Sequence, residues 1–272
     1  MSVICDYHMH TPLCKHACGK PIEYVRRAHE IGLKVIGFSD HCPAPANFDT
    51  ECRMDLSQIE RYIEIIEEVK NNPYGIEVLC GMEIDYVPGK MDEVASLIDS
   101  YDFDYIIGSI HHVDDYPFDN PQYIDKWSTP EKIEYIWNKY ANLLKDMVAS
   151  FKLDIIGHID LPKKFGMLPR NMDFFRSKIS EVVQIASDKE VLIEINTAGK
   201  RKPVKEFYPS LDIMQLIKLN GGSITFGSDS HSPDEVGSDF DTASSLAINA
   251  GFKDYTVIGK SGKRHKEKLS YI

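Results

Sequence analysis

The chain has 272 residues, 43% of them hydrophobic and 27% charged, with a net charge of −11. That composition belongs to a globular chain able to bury a substantial core, and it excludes a disordered or fibrous one. The negative balance argues against a broad nucleic-acid or anionic-membrane surface. No apolar run reaches the length of a transmembrane helix, and the first residues lack the basic and apolar regions of a signal peptide, so a cytoplasmic location is expected. Cys5, Cys14, Cys18, Cys42, Cys52 and Cys80 do not make a disulfide scaffold in a chain of this size. Cys14 and Cys18 flank His16, but no second Cys pair follows, and all six read as reduced thiols.

In chain order, Val3-Ile4-Cys5 reads as a first strand, and it runs into Asp6-Tyr7-His8-Met9-His10. Side chains alternate along a strand, so His8 and His10 face the same way. A helix follows from Pro21 towards Gly32, and Val35 to Ser39 is a buried strand leading to Asp40-His41. Ser57-x-x-Glu60 reads as a capping box opening a helix with Ile59, Tyr62, Ile63, Ile66 and Val69 on its apolar face. Ile76 to Cys80 is a third strand leading to Glu83, and a helix over 91–98 returns the chain to a fourth strand, 105–110, followed by His111 and His112.

A loop over 113–128 is rich in Asp, Pro and aromatics, and Thr129-Pro130-Glu131 starts a long helix. Leu153 to Gly157 is a fifth strand ending at His158, and an insertion from Asp160 to Arg170 carries Lys163 and Lys164. A helix spans 173–187, Val191 to Ile195 is a sixth strand, and Lys200-Arg201-Lys202-Pro203 is a basic loop. Ser210 starts a helix that stops at Asn220, and Ser223 to Phe226 is a seventh strand leading to Asp229-Ser230-His231. Ser232-Pro233-Asp234 is expected to start the last helix, Tyr255 to Ile258 is a terminal strand, and the end, with His265, reads as a basic solvated tail. Strands alternating with helices imply a parallel sheet covered by helices, in one α/β domain over 1–272. Ligand-type residues follow so many different strands that a closed (β/α) barrel fits better than an open sheet, because every strand of a barrel opens on one mouth.

Nine such groups stand at six strand ends: His8, His10, His16, His41, Glu83, His111, His158, Asp229 and His231. They include seven of the ten histidines. Mixed imidazole and carboxylate ligands suit zinc, iron or manganese, and nine exceed what one tetrahedral zinc needs. A site for two or three cations is expected, with Glu83 able to bridge two. His29 reads as a helix-surface residue, and His112 faces away from His111. Asp6, Asp40 and Asp160 are candidates to orient imidazoles through the second ring N–H. Arg170 and Arg201, in loops beyond strand ends, are candidates to clamp a phosphate.

These residues resemble the PHP (polymerase and histidinol phosphatase) family, and within it the histidinol-phosphate phosphatase branch. The resemblance rests on Asp6 to Thr11, Phe38 to Pro43, Gly108 to Val113, Gly157 to Asp160 and Gly227 to His231, and it covers essentially the whole chain. It implies a distorted seven-stranded, TIM-like barrel and a centre of three divalent ions. It assigns His8, His10, Glu83 and Asp229 to one ion. Glu83, His111 and His158 go to a second, and His16, His41 and His231 to a third. The implied reaction is hydrolysis of the phosphomonoester L-histidinol phosphate to L-histidinol and phosphate, a step of histidine biosynthesis, by a metal-activated water. Asp229 and His231 are the candidate catalytic residues. The partner implied is a small phosphorylated molecule rather than a nucleic acid or membrane. Alternatives are another small phosphomonoester, a phosphotyrosyl peptide, or a non-catalytic metal-binding module.

Overall fold

A computed structural model describes residues 3–114 and 116–271. Seven parallel strands form one sheet in chain order: β1 (Cys5–Asp6), β2 (Val35–Phe38), β3 (Glu77–Asp85), β4 (Tyr105–Ser109), β5 (Ile155–Ile156), β6 (Leu192–Asn196) and β7 (Ile224–Gly227). β2, β4, β5, β6 and β7 are buried throughout, as expected of strands covered on both faces. The sheet curls until β7 meets β1. Tyr7 N–H donates to Phe226 O at 3.2 Å, His10 N–H to Ser230 O at 2.9 Å and Ser230 N–H to His8 O at 3.0 Å. This is the barrel expected from the sequence.

Tyr105 sets how closely the strands approach inside it. Its side chain lies against the backbone at Gly37 and Gly81, where an added Cβ would fall 2.2 Å from the hydroxyl oxygen and 2.4 Å from a ring carbon respectively. Its hydroxyl donates to Tyr7 O at 2.6 Å, so one aromatic ties β4 to the end of β1. Only glycine on β2 and β3 leaves room for it.

The covering helices are α1 (Pro21–Glu30), α2 (Ile59–Lys70), α3 (Met91–Ile98), α4 (Pro130–Ser150), α5 (Asp173–Asp188), α6 (Leu211–Leu219) and α7 (Phe240–Asn249). α4 starts as expected: the Thr129 side chain accepts from Lys132 N–H, Pro130 holds the first position, and Ile136, Trp137, Tyr140 and Leu144 are buried. One hydrophobic core runs from Val3 to Ile258. Among the described residues, no helix is long and apolar enough to cross a membrane.

Three expectations are corrected. The cap before α2 is not Ser57 with Glu60. Asp55 and Gln58 enclose a 3-10 turn, with Asp55 N–H donating to the Gln58 side chain at 2.9 Å, and the helix begins at Ile59. Ser232-Pro233 opens only a 3-10 turn, Pro233–Glu235. Glu235 is drawn away to His231 N–H and Arg201, Gly237 and Asp239 take left-handed backbone, and the last helix waits until Phe240. The basic tail is not free either. β9 (Arg264–Lys268) pairs antiparallel with β8 (Asp254–Ile258), and its charged, mostly exposed side chains suit an edge strand.

Candidate metal centre

β1 ends where His8 and His10 turn towards the barrel axis, both with 0% exposure. β3 runs longer than its apolar core suggests and carries Glu83 to the same place. Glu83 Oε2 lies 3.3 Å from His8 Nε2, 3.7 Å from His10 Nε2 and 2.9 Å from His41 Nδ1. Its Oε1 lies 3.2 Å from His158 Nε2 and 3.7 Å from His111 Nε2, and accepts from the Ser109 hydroxyl at 2.6 Å. The two oxygens thus face two different sets of imidazoles. Asp229 Oδ1 stands 3.4 Å from His10 Nε2, 3.9 Å from His8 Nε2 and 3.5 Å from His231 Nδ1. All nine expected ligands are brought together around one mouth.

The donor chemistry fits cations. His8 Nε2, His10 Nε2, His41 Nδ1 and Glu83 Oε2 are buried without a hydrogen-bond partner, and leaving such groups bare costs about 1–3 kcal/mol each. His16 Nδ1 donates to Cys14 O at 2.8 Å and His231 Nδ1 to Asp229 O at 3.1 Å, since a carbonyl only accepts. In the neutral rings this leaves two Nε2 lone pairs facing each other at 2.9 Å. His111 Nε2 and His158 Nε2 are 3.3 Å apart. Two nitrogens on one tetrahedral zinc sit roughly 3.3 Å apart, from a Zn–N distance of about 2.0–2.1 Å. The facing lone pairs are what a cation between them requires.

Burial opposes charge on these groups, and their neighbours decide the outcome. Burial raises Glu83, but His8, His41 and His111 outweigh it and hold the carboxyl well below its ordinary range. Asp229 is pulled down in the same way, against burial, by His8, His10 and His231. Burial lowers His10, yet Asp229, Asp40 and Glu83 raise it to about 9, and Asp85 with Glu83 raises His111 to about 10. At His41 burial wins and takes the ring down to about 4.

Two carboxylates that orient imidazoles are not in the expected set. Glu194, on β6 and 1% exposed, accepts from His8 Nδ1 at 2.7 Å. Asp85 accepts from His111 Nδ1 at 2.8 Å and is itself paired with buried Arg53 at 2.9 Å. Each fixes the tautomer that turns Nε2 inward. Both were signalled: Asp85 follows Glu83 at the spacing of His8-x-His10, and Glu194 is a charge inside an apolar strand. Of the expected orienting residues, Asp40 does lie against His10 Nδ1, at 3.4 Å. Asp6 instead accepts from Ser228 N–H at 2.8 Å and Gly237 N–H at 3.1 Å, locking the β7 loop to β1. Asp160 accepts from Ser210 N–H and pairs with Lys163, both at 2.9 Å.

The structure places the two arginines differently from the expectation. Arg170 is 79% exposed beside Glu131 and does not line the cavity over the metal centre. Arg201 donates through Nη2 to Ser228 O at 2.7 Å and Asp229 O at 3.1 Å, and pairs with Glu235 at 3.1 Å. It therefore holds the turn in which Asp229 adopts left-handed backbone, φ 51°, a conformation uncommon for a side chain with Cβ. The cavity, of about 400 Å3, takes its cations from Arg53, Lys164 and Lys202, and has Asp49, Asp119 and Glu235 on its walls.

Comparison with known proteins bears on the family and the fold. The PHP domain model matches residues 6–198, a span that ends before Asp229 and His231. A Deinococcus radiodurans protein named "Probable histidinol-phosphatase" is 37% identical, over 87% of this chain and 90% of its own. The histidinol-phosphatase of Bacillus subtilis is 28% identical, over 85% of this chain and 95% of its own. The fold is shared with a crystal structure of histidinol phosphate phosphatase from Lactococcus lactis, complexed with zinc, L-histidinol and phosphate. Its TM-score is 0.76 at 24% identity, covering 96% of this chain and 98% of that one. On both the family model and the full-length relatives, this chain belongs to the PHP domain family.

Proposed function

We propose that the chain is a metal-dependent phosphatase that hydrolyses L-histidinol phosphate to L-histidinol and phosphate. The observation that carries the reaction class is the convergence of nine ligand side chains, seven of them lining a cavity with lysines on its wall and His8 and His10 buried beside them. The substrate assignment is supported by the relatives' names and by the cavity's charge. Lys202 forms no salt bridge among the described residues and is free to meet a phosphate, whereas Lys164 shares its charge with Asp119 at 3.1 Å. Asp49, Asp119 and Glu235 suit the cationic amine and imidazole of the other half.

His8, His10, Glu83 and Asp229 would hold one divalent ion, Glu83, His111 and His158 a second, and His16, His41 and His231 a third, with zinc, iron or manganese matching the donors. When bound, such ions supply an ionised water near neutral pH and offset the charge of the phosphoryl oxygens. Glu194, Asp85 and Asp40 keep the imidazoles aimed. Lys202 and Lys164 hold the phosphate against in-line attack, with Arg53 on the wall. Asp229 enters the reaction as the anion, takes the proton of the attacking water and returns it to the leaving alkoxide, so that alcohol and phosphate leave balanced. His231 steadies the Asp229 turn by donating from Nδ1 to Asp229 O at 3.1 Å. Initial rates on histidinol phosphate and on an aryl phosphate monoester whose aryl half is uncharged test the assignment. A kcat/KM at least tenfold higher for histidinol phosphate is expected, and equal values would remove the substrate assignment while leaving the phosphatase.

A further inference from the structure

We propose that the sulfur of Cys14 is a further ligand of the cation that His16 and His231 hold, a reading that rests on the metal centre proposed above. Cys14 has 0% exposure and stands outside the hydrophobic core cluster. One ligand atom each from Cys14, His16 and His231 lie within 4.8 Å of one another. The His10 ring centroid lies 4.2 Å from that of His231 and 4.5 Å from that of His41, and one ligand atom each from His10, Cys14 and Asp40 also lie within 4.8 Å of one another, so the sulfur sits among donors.

The loop is shaped to put it there. Asp40 accepts from Thr11 N–H at 3.2 Å and from the Thr11 hydroxyl, and Thr11 caps the 3-10 turn Pro12–Cys14. Lys15 then takes left-handed backbone, φ 72°, which carries His16 around beside Cys14. The backbone N–H groups of His16 and Ala17 both donate towards the Cys14 sulfur, an arrangement that stabilises a thiolate. Cys18 N–H donates to His231 O at 2.8 Å and pins the same loop to the β7 turn.

Binding a cation breaks the S–H bond, forms the sulfur–metal bond and releases the proton to solvent. A thiolate at this position favours zinc or iron over manganese or magnesium for that ion alone. It also makes that ion the one lost first on oxidation of the sulfur.

Cobalt(II) tests the proposal spectroscopically, without reference to turnover. The full chain, stripped and reloaded with cobalt, should show a near-ultraviolet sulfur-to-cobalt absorption band. Cys14→Ser should lose the band and bind one equivalent on the order of tenfold more weakly, while Cys18→Ser and Cys52→Ser keep it. Cobalt bound to the unaltered chain without the band, or a band that survives Cys14→Ser, would overturn the assignment. Metal analysis separates that result from failure of the centre itself, in which no cobalt is retained and both readings fall.

Discussion

Glu194→Gln is nearly isosteric, and the structure says what it should do. Glu194 Oε1 accepts from His8 Nδ1 at 2.7 Å, while Oε2 accepts from His158 N–H at 2.9 Å and Asn196 Nδ2 at 3.0 Å. Three donors therefore converge on one carboxylate. A carboxamide keeps only one acceptor oxygen. Turned to preserve His8, it sets its NH2 against two donors. Turned the other way, it sets NH2 against His8 alone. A buried donor left facing a donor costs about 1–3 kcal/mol, so the second orientation is favoured by roughly that amount. His8 then accepts at Nδ1 and carries its proton at Nε2, which removes it as a ligand. The variant should lose no more than about 3 kcal/mol of metal-free stability by urea denaturation, yet bind zinc about 10–100-fold more weakly in a competition titration. Unchanged zinc affinity in a folded variant would refute the role given to Glu194.

Lys202→Ala should raise the KM for histidinol phosphate and the inhibition constant of inorganic phosphate by roughly 10–100-fold with metal content unchanged, since a charge-assisted bond of about 1.5–3 kcal/mol is lost. Arg170→Ala should leave both constants alone. Gly227→Ala should fold poorly or not at all, because the new Cβ would stand 1.9 Å from Glu194 Oε1 and 2.7 Å from His8 Cβ; soluble expression and circular dichroism report it. His10 and His111 are raised from an ordinary 6.5 to about 9 and about 10, burial notwithstanding, by their carboxylate neighbours. The folded metal-free chain thus holds more protons than the unfolded one above pH 6.5, and its stability should fall as pH rises through that window. Zinc must displace the same protons, so its apparent affinity should rise over the same span. Parallel denaturation and zinc titrations at pH 6.5 and 8.5 check both signs.

The strands and their ligands were legible because the two signals coincide. A parallel strand covered on both faces is an apolar run, as at Val35–Phe38 and Tyr105–Ser109, and each such run stops abruptly at His41 or His111. The polar partners inside strands were harder to see. Glu194 lies within an otherwise apolar run, where attention to strand ends passes over it, although Glu194-x-Asn196 repeats the alternation of His8-x-His10. Arg201 carries no local mark of its task, since the carbonyls it holds, at Ser228 and Asp229, come from the next strand's turn and meet it only in the closed barrel. β9 escaped because charge at an edge and charge in a solvated tail look alike until the partner strand is known.

Under the proposed function His8 and His10 hold a cation required for turnover, and removing the cations tests this most directly. Chelated protein should be folded and inactive on histidinol phosphate, and activity should return as zinc is titrated in, levelling once the nine-ligand site is filled. Hydrolysis by metal-free protein at the rate of the loaded enzyme would contradict the account.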